Sequence, residues 1–323
     1  MRLRLVQVLH RHGDRSPLHN VFAGGRHRAA AEDALWVPKL HAPSTAIYGQ
    51  LTTTGIEQMQ ARGSQVRAQC KAHGWTLNSV DLRVQSTPYD RTQQSTAAFL
   101  SCFLPSAPRD IDVLPKHLNF INAYSANGNV IIPMKLQLIA DKYAADEARM
   151  ADVKAELIHR LPMFSVGGEE FTWMKAADHF ICRHAHAIEY LPDTAELSQP
   201  AINHLALRFQ QYYTDPTILR LVVTGLGTEL LAQMEHCMMA RNGDSAEVVR
   251  IYSGHDVSLL ALLYGLRVDL IHPFWPDYGA AVVLELFQDG HDWFVRVTLD
   301  GAPVLDTTPF AVFASSLRST MKQ

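Results

Sequence analysis

The stretch LRLVQVLHRHGDRSPLHN, Leu3 to Asn20, decides how the rest of the chain is read. Leu3, Leu5, Val6, Val8 and Leu9 form an apolar run, half alternating and half continuous, as a mostly buried strand requires. That run ends in two histidines and two arginines within the six residues His10 to Arg15. Charge gathered at the carboxyl end of a buried strand marks a ligand site in an open α/β sheet, because loops and helix N-termini converge there.

Outward from this stretch, strands and helices alternate. Asn20 to Gly49, with Gly24, Gly25, Pro38 and Pro43, reads as a long functional loop. Thr54 followed by Glu57 reads as a capping box opening a helix whose face carries Ile56, Met59, Gly63, Val66 and Cys70. Leu82 and Val84 belong to a short strand closed by Ser86 and Thr87. Pro88 then sits where a helix begins, with Ala97, Ala98 and Phe99 inside it. Between about Ala126 and Tyr213 helical patterns dominate, broken by Pro162, Gly167, Gly168 and Pro192. Thr224 to Met239 reads as a helix, Val248 to Tyr252 as a strand and Val257 to Leu263 as a helix. Ala280 to Phe287 and Trp293 to Leu299 pair around the turn signal Asp289-Gly290. The expectation is an α/β fold with a central mixed, mostly parallel sheet flanked by helices. Residues 1–125 and 214–323 form this core, and a smaller, mainly helical cap domain of residues 126–213 is inserted between them.

Composition narrows the class. With 323 residues, 47% of them hydrophobic, the chain can bury a large core and is not a disordered one. Its 29 basic and 32 acidic residues, a formal charge of -3, are dispersed and give no basic block for nucleic acid or an anionic membrane. No segment approaches the roughly 18 apolar residues of a membrane-spanning helix. Cys70, Cys102, Cys182 and Cys237 are widely spaced and form no CxxC; four free thiols are the first reading and two bridges the second. Nine residues before His10 leave no space for a signal peptide, so the chain as given reads as cytoplasmic, or as the mature form of a secreted or lysosomal protein. Its oligomeric state is open, a homodimer included.

Three strand ends carry unusual residues: His10 to Pro17, STPYDRT at Ser86 to Thr92, and YSGHDVS at Tyr252 to Ser258. Brought together, they would place Arg11, Arg15, Arg91, His12, His255 and Asp256 around one crevice. Guanidinium forks match phosphoryl oxygens two at a time, so this is an inventory for phosphate. The histidines and the carboxylate supply chemistry that binding alone does not need. His255-Asp256 by itself is an ordinary helix cap, and Arg91 by itself an ordinary first-turn residue. RHGxRxP is more specific: five fixed positions arise by chance on the order of 10⁻⁴ times in a chain this long.

RHGDRSP at Arg11 to Pro17, STPYDRT and SGHDVS at Ser253 to Ser258 resemble, in order and spacing, the three signatures of the histidine acid phosphatases, the two-domain branch of the histidine phosphatase superfamily. LTTTGIEQMQARGSQVR, Leu51 to Arg67, is similar to the family's helix after its first loop, and DYGAAVVLELF, Asp277 to Phe287, to its late strand. HDVS and the RSPL continuation resemble the lysophosphatidic-type acid phosphatases more than the phytases. The resemblance implies a phosphomonoesterase acting on small-molecule phosphate monoesters. In it His12 is phosphorylated, Arg11, Arg15, Arg91 and His255 bind the phosphoryl oxygens, and Asp256 is the proton donor, with an acidic optimum and no metal or other cofactor. The chain departs from the family in having neither a secretion signal nor a recognisable set of disulfides.

Other chemistries fit less well. DIDVL, Asp110 to Leu114, resembles the nucleophile motif of haloacid-dehalogenase phosphatases but lacks the preceding apolar strand. His179, Cys182 and His186 share a helical face, which suits a metal site less than a packed helix with a buried thiol. Phe171, Trp173, Met174 and Phe180 are core candidates that a cap could also turn toward a substrate. A phosphotransferase or mutase using the same phosphohistidine, and a catalytically inactive phosphate-binding protein, are the alternatives.

Overall fold

The computed structural model describes residues 1–22, 26–106, 110–239 and 247–322. In chain order, β1 (Arg2–Arg11) precedes α1 (Arg26–Trp36), α2 (Thr53–Ala72), β2 (Val80–Ser86), α3 (Asp90–Phe103) and the short β3 (Asp112–Val113). A helical run follows, made of α4 (Ala123–Lys142), α5 (Ala144–Arg149), α6 (Ala151–Arg160), α7 (Pro162–Ser165), α8 (Trp173–Ala185), α9 (Ala195–Thr214) and α10 (Pro216–Met239). The chain closes with β4 (Glu247–Gly254), α11 (Asp256–Gly265), β5 (Ala281–Asp289), β6 (Asp292–Leu299), β7 (Ala302–Pro309) and α12 (Phe310–Lys322).

Sheet order explains why the first strand reads as it does. The order is β3-β2-β4-β1-β5-β6-β7, so β1 lies at the centre. β3, β2, β4 and β1 run parallel to their neighbours, while β5, β6 and β7 pair antiparallel, giving a mixed sheet in which five of the seven strands point the same way. Both faces of β1 are covered. Leu5 and Leu9 join Leu230, Leu259 and Leu317 on the α10, α11 and α12 side. Val6 and Val8 join Met59, Val66 and Phe99 on the α2 and α3 side. A strand buried on two faces keeps apolar residues at successive positions, which is the continuous half of the run.

Several local expectations change. Residues 20–49 are not one loop: α1 occupies part of it, with Trp36 fully buried and its indole donating to Glu32 at 2.9 Å. Gly24 and Gly25 lie outside the described residues. The cap of α2 is Thr52 rather than Thr54, because the Thr52 hydroxyl also reaches Asp14 and so links the helix start to the first loop. Tyr89, not Pro88, is the last residue before α3, and α10 starts at Pro216, earlier than its apolar pattern suggested. β7 and α12 have no strong sequence signal. β7 is a half-exposed edge strand, and α12 shows only one apolar face to the sheet. All four cysteines are free.

Candidate active site

Register brings the three motifs to one edge. His10 pairs with Ser253 and Arg11 with Gly254, and Ser86 pairs with Ser253 on the other side of β4. The three strands are parallel, so their carboxyl ends and the loops beyond them must share one end of the sheet. Backbone hydrogen bonds fix the loops: His12 N–H donates to Gly254 at 3.2 Å, and Thr87 N–H to Ser253 at 3.2 Å. The first loop is pressed against the start of α2. A Cβ on Gly13 would lie 2.2 Å from the carbonyl oxygen of Gly55, and one on Gly55 would lie 2.3 Å from that of Asp14. Only two glycines permit this approach, so the last residue of RHG, Gly13, is set by packing.

The His12 ring shows which nitrogen is free. Its Nδ1 lies 2.8 Å from the carbonyl oxygen of Gly13. A carbonyl only accepts, so Nδ1 carries the hydrogen and Nε2 keeps its lone pair. Burial, then Arg91, Arg11, His255 and Arg15, push the pKa of His12 well below the usual imidazole value. The ring is therefore neutral and nucleophilic. Burial and then Arg91, Arg15 and Arg11 act in the same direction on His255. His255 lies 5.5 Å from His12, centroid to centroid, and its Nε2 is 3.1 Å from the Thr87 hydroxyl.

The guanidiniums are held in different ways. Arg11 donates to the Pro276 carbonyl at 2.6 Å, pairs with Asp256 at 3.1 Å and lies 4.1 Å from the centre of the Tyr278 ring. Arg15 pairs with Asp178 of α8 at 2.7 Å and donates to the Ser16 carbonyl at 3.0 Å, and its Nη1 is 3.8 Å from the Cys182 sulfur. Burial opposes the charge on Arg15, yet Asp178, with Tyr278 and Cys182, raises its pKa. Arg91, over Tyr89 at 4.6 Å, has no carboxylate within ion-pair distance among the described residues. Burial and the neighbouring Arg15 lower its pKa to about 10. The Nε atoms of Arg11, Arg15 and Arg91 are all buried without a partner. Three guanidiniums thus face two carboxylates, an excess of positive charge that grows when Asp256 is protonated. A phosphate dianion would balance it.

Asp256 is both a helix residue and a site residue. It opens α11 after the N-cap His255, its Oδ1 accepts from Val257 N–H at 2.8 Å, and its Oδ2 faces Arg11. The position at the start of α11 and the contact with Arg11 therefore coexist in one side chain.

All six residues singled out in the sequence meet here, together with others that were not anticipated. Tyr278 and Pro276 come from the segment just before β5. Because β5 runs antiparallel to β1, with Ala281 opposite His10, its amino end lies where β1 has its carboxyl end. Searching only for carboxyl ends of strands passes it by; the Asp277-Tyr278-Gly279 triplet before a buried strand was the available signal. Asp178 has no local signal, since it is joined to Arg15 and to Leu18 N–H, at 2.7 Å, across about half the chain. The three residues weighed as metal ligands diverge. His186 Nε2 meets Asp14 at 2.6 Å, Cys182 meets Arg15 and Tyr278, and His179 is buried beside Phe180. Phe180 is core, while Phe171, Trp173 and Met174 line a cavity. Asp112 and Val113 of the DIDVL segment form the exposed edge strand β3, paired with Gln85 and Ser86 of β2.

Comparison with known proteins gives an independent view. The sequence pattern of the histidine phosphatase superfamily (branch 2) matches residues 2–162. Counting factor 60 of Dictyostelium discoideum is 24% identical, with 93% of this chain and 80% of that protein covered. Testicular acid phosphatase of Mus musculus is 27% identical, with 88% and 67% covered. In fold, the phytase from Citrobacter braakii superposes with a TM-score of 0.67 at 15% identity, covering 99% of this chain and 98% of that one.

Proposed function

Because the chain belongs to branch 2 of the histidine phosphatase superfamily and is a phosphoric monoester hydrolase, we propose that it cleaves small-molecule phosphate monoesters through a phosphohistidine on His12. One observation carries this assignment: the Nδ1–H to Gly13 bond leaves Nε2 of a neutral, buried ring as the lone pair inside a ring of guanidiniums. Nε2 attacks phosphorus in line, the N–P bond forms and the bond from phosphorus to the alcohol oxygen breaks. Arg11, Arg15 and Arg91, with His255, take up the charge on the equatorial oxygens, where most of the stabilisation in phosphoryl transfer arises. Asp256 gives its proton to the departing alkoxide. As a carboxylate it then removes a proton from the water that attacks phosphorus, and phosphate leaves with the His12 lone pair restored. The guanidiniums supply the positive charge that a cation brings to other phosphatases.

The helical stretch 126–213 acts in this scheme as a cap whose α8 braces Arg15 through Asp178. Among the described residues no helix is long and apolar enough to cross a membrane. Four unpaired thiols favour a reducing compartment.

The test is chemical. Rapid quenching of the enzyme with labelled p-nitrophenyl phosphate should trap a label that survives alkali and is lost in acid, the behaviour of an N–P bond. His12→Ala should carry no label and lose nearly all turnover. A labelled His12→Ala protein, or an acid-stable label on the parent, would end the proposal.

A further inference from the structure

Among α4, α5, α6, α8 and α9 lies a cavity of about 370 Å³ whose wall includes Phe171, Trp173, Phe209 and Tyr212, with Lys135 and Lys154 among them. Such a size and a mainly apolar lining with few polar groups suit an organic ligand. Its charges are unbalanced. The Lys135 amine lies 4.1 Å from the Tyr212 ring centre, 4.5 Å from Phe209 and 4.9 Å from Tyr124. Among the described residues no carboxylate comes within ion-pair distance of it or of Lys154, which lies 5.5 Å from the Phe171 ring centre. The cavity's own carboxylate, Glu147, is already taken by Arg208 at 2.7 Å, His204 at 2.8 Å and the Trp173 indole at 3.2 Å. Aromatic faces compensate a buried ammonium only in part. Burial accordingly pushes the Lys135 amine down to about 7.

Three connections tie this cavity to the phosphoryl site. Trp173 opens α8, the helix whose Asp178 and Cys182 meet Arg15. Phe209 packs against Trp275 at 5.1 Å, and the next residue, Pro276, accepts from Arg11. Tyr124, under the Lys135 amine, lies 3.2 Å from the Tyr213 hydroxyl, which is 3.5 Å from the carbonyl oxygen of Val257, the residue after Asp256. We propose that the cavity receives the alcohol part of the substrate and selects phosphomonoesters whose apolar, aromatic-sized alcohol carries a second anionic group, with Lys135 as its partner. This rests on the phosphatase assignment above and adds a substrate class to it.

A matched pair tests it: biphenyl-4-yl phosphate and 4′-carboxybiphenyl-4-yl phosphate. A charge-assisted hydrogen bond to Lys135 should raise kcat/KM for the carboxylated ester about tenfold or more over its parent. Lys135→Met should bring that ratio close to one, and Lys135→Arg should keep it. The ratio is unaffected by a general loss of folded enzyme. A wild-type ratio near one, or a ratio that Lys135→Met leaves unchanged, overturns the proposal. If the wild type hydrolyses neither ester nor p-nitrophenyl phosphate, the phosphatase assignment is what has failed. Calorimetry with biphenyl-4-carboxylate then decides: binding about tenfold weaker in Lys135→Met supports the pocket, and equal binding overturns it.

Discussion

Asp178→Asn isolates the brace behind the phosphate site. The Arg15–Asp178 pair is buried at both ends, with side chains 6% and 5% exposed, and the second carboxylate oxygen accepts from Leu18 N–H. Asparagine can keep the Leu18 bond through its oxygen but turns an amide N–H toward the guanidinium, leaving a buried cation facing a donor. Removing one partner of a buried pair costs about 3–5 kcal/mol, and the retained Leu18 bond favours the lower end. Urea denaturation in phosphate-free buffer should therefore show a loss of about 3 kcal/mol. Phosphate supplies the discriminating readout. At a concentration 100 times its Kd, a ligand stabilises the folded state by about 2.7 kcal/mol. In the variant, phosphate also replaces the missing counter-charge of Arg15, so its stabilising effect should exceed that on the wild type by at least about 1 kcal/mol. A loss below about 1 kcal/mol without phosphate would show that the pair is dispensable. Equal stabilisation of both proteins by phosphate would show that Arg15 does not face the anion.

Arg91→Lys should lower kcat/KM by about tenfold or more, with weaker inhibition by vanadate in parallel, because a point ammonium cannot replace a fork. Normal kinetics would remove the second motif from the crevice. Asp256→Asn should slow phosphorylation by alkyl phosphates far more than by p-nitrophenyl phosphate, measured in the burst phase, since nitrophenolate needs little protonation to leave. Equal losses would move the acid role to His255. Burial, opposed by the hydrogen bond to the Arg11 carbonyl and aided by Arg62, lowers the pKa of His10 from 6.5 to about 4. The unfolded chain thus binds a proton on His10 that the folded one refuses, and stability falls as pH drops from 6.5 toward 4. His10→Phe, placed against Phe99, should lessen the loss of stability between pH 7 and pH 5 by about 2 kcal/mol, and an unaltered pH profile would contradict the buried neutral ring.

Local chemistry determined a great deal from the sequence by itself. An apolar run dense enough for burial on both faces identified the central strand, and side-chain types at three strand ends identified a phosphate inventory, because guanidinium and imidazole chemistry is intrinsic to those residues. Arg11, His12, Arg15, Arg91, His255 and Asp256 were legible for that reason. Tertiary structure decided what those groups experience. The neutrality of His12 comes from burial among guanidiniums brought by β1, the loop after it and α3, with His255 from just after β4, and no stretch of sequence contains that environment. Thr52 displaced Thr54 as the cap because its partner, Asp14, lies in another loop. Tyr278 entered the site because an antiparallel pairing reverses which end of β5 meets the crevice, and hydrogen-bond direction between strands is set by the sheet, not by the strand. Asp178 reached Arg15 across about half the chain for the same kind of reason: a buried cation must find a counter-charge in space, and the residue that supplies it need have no relation to it in sequence.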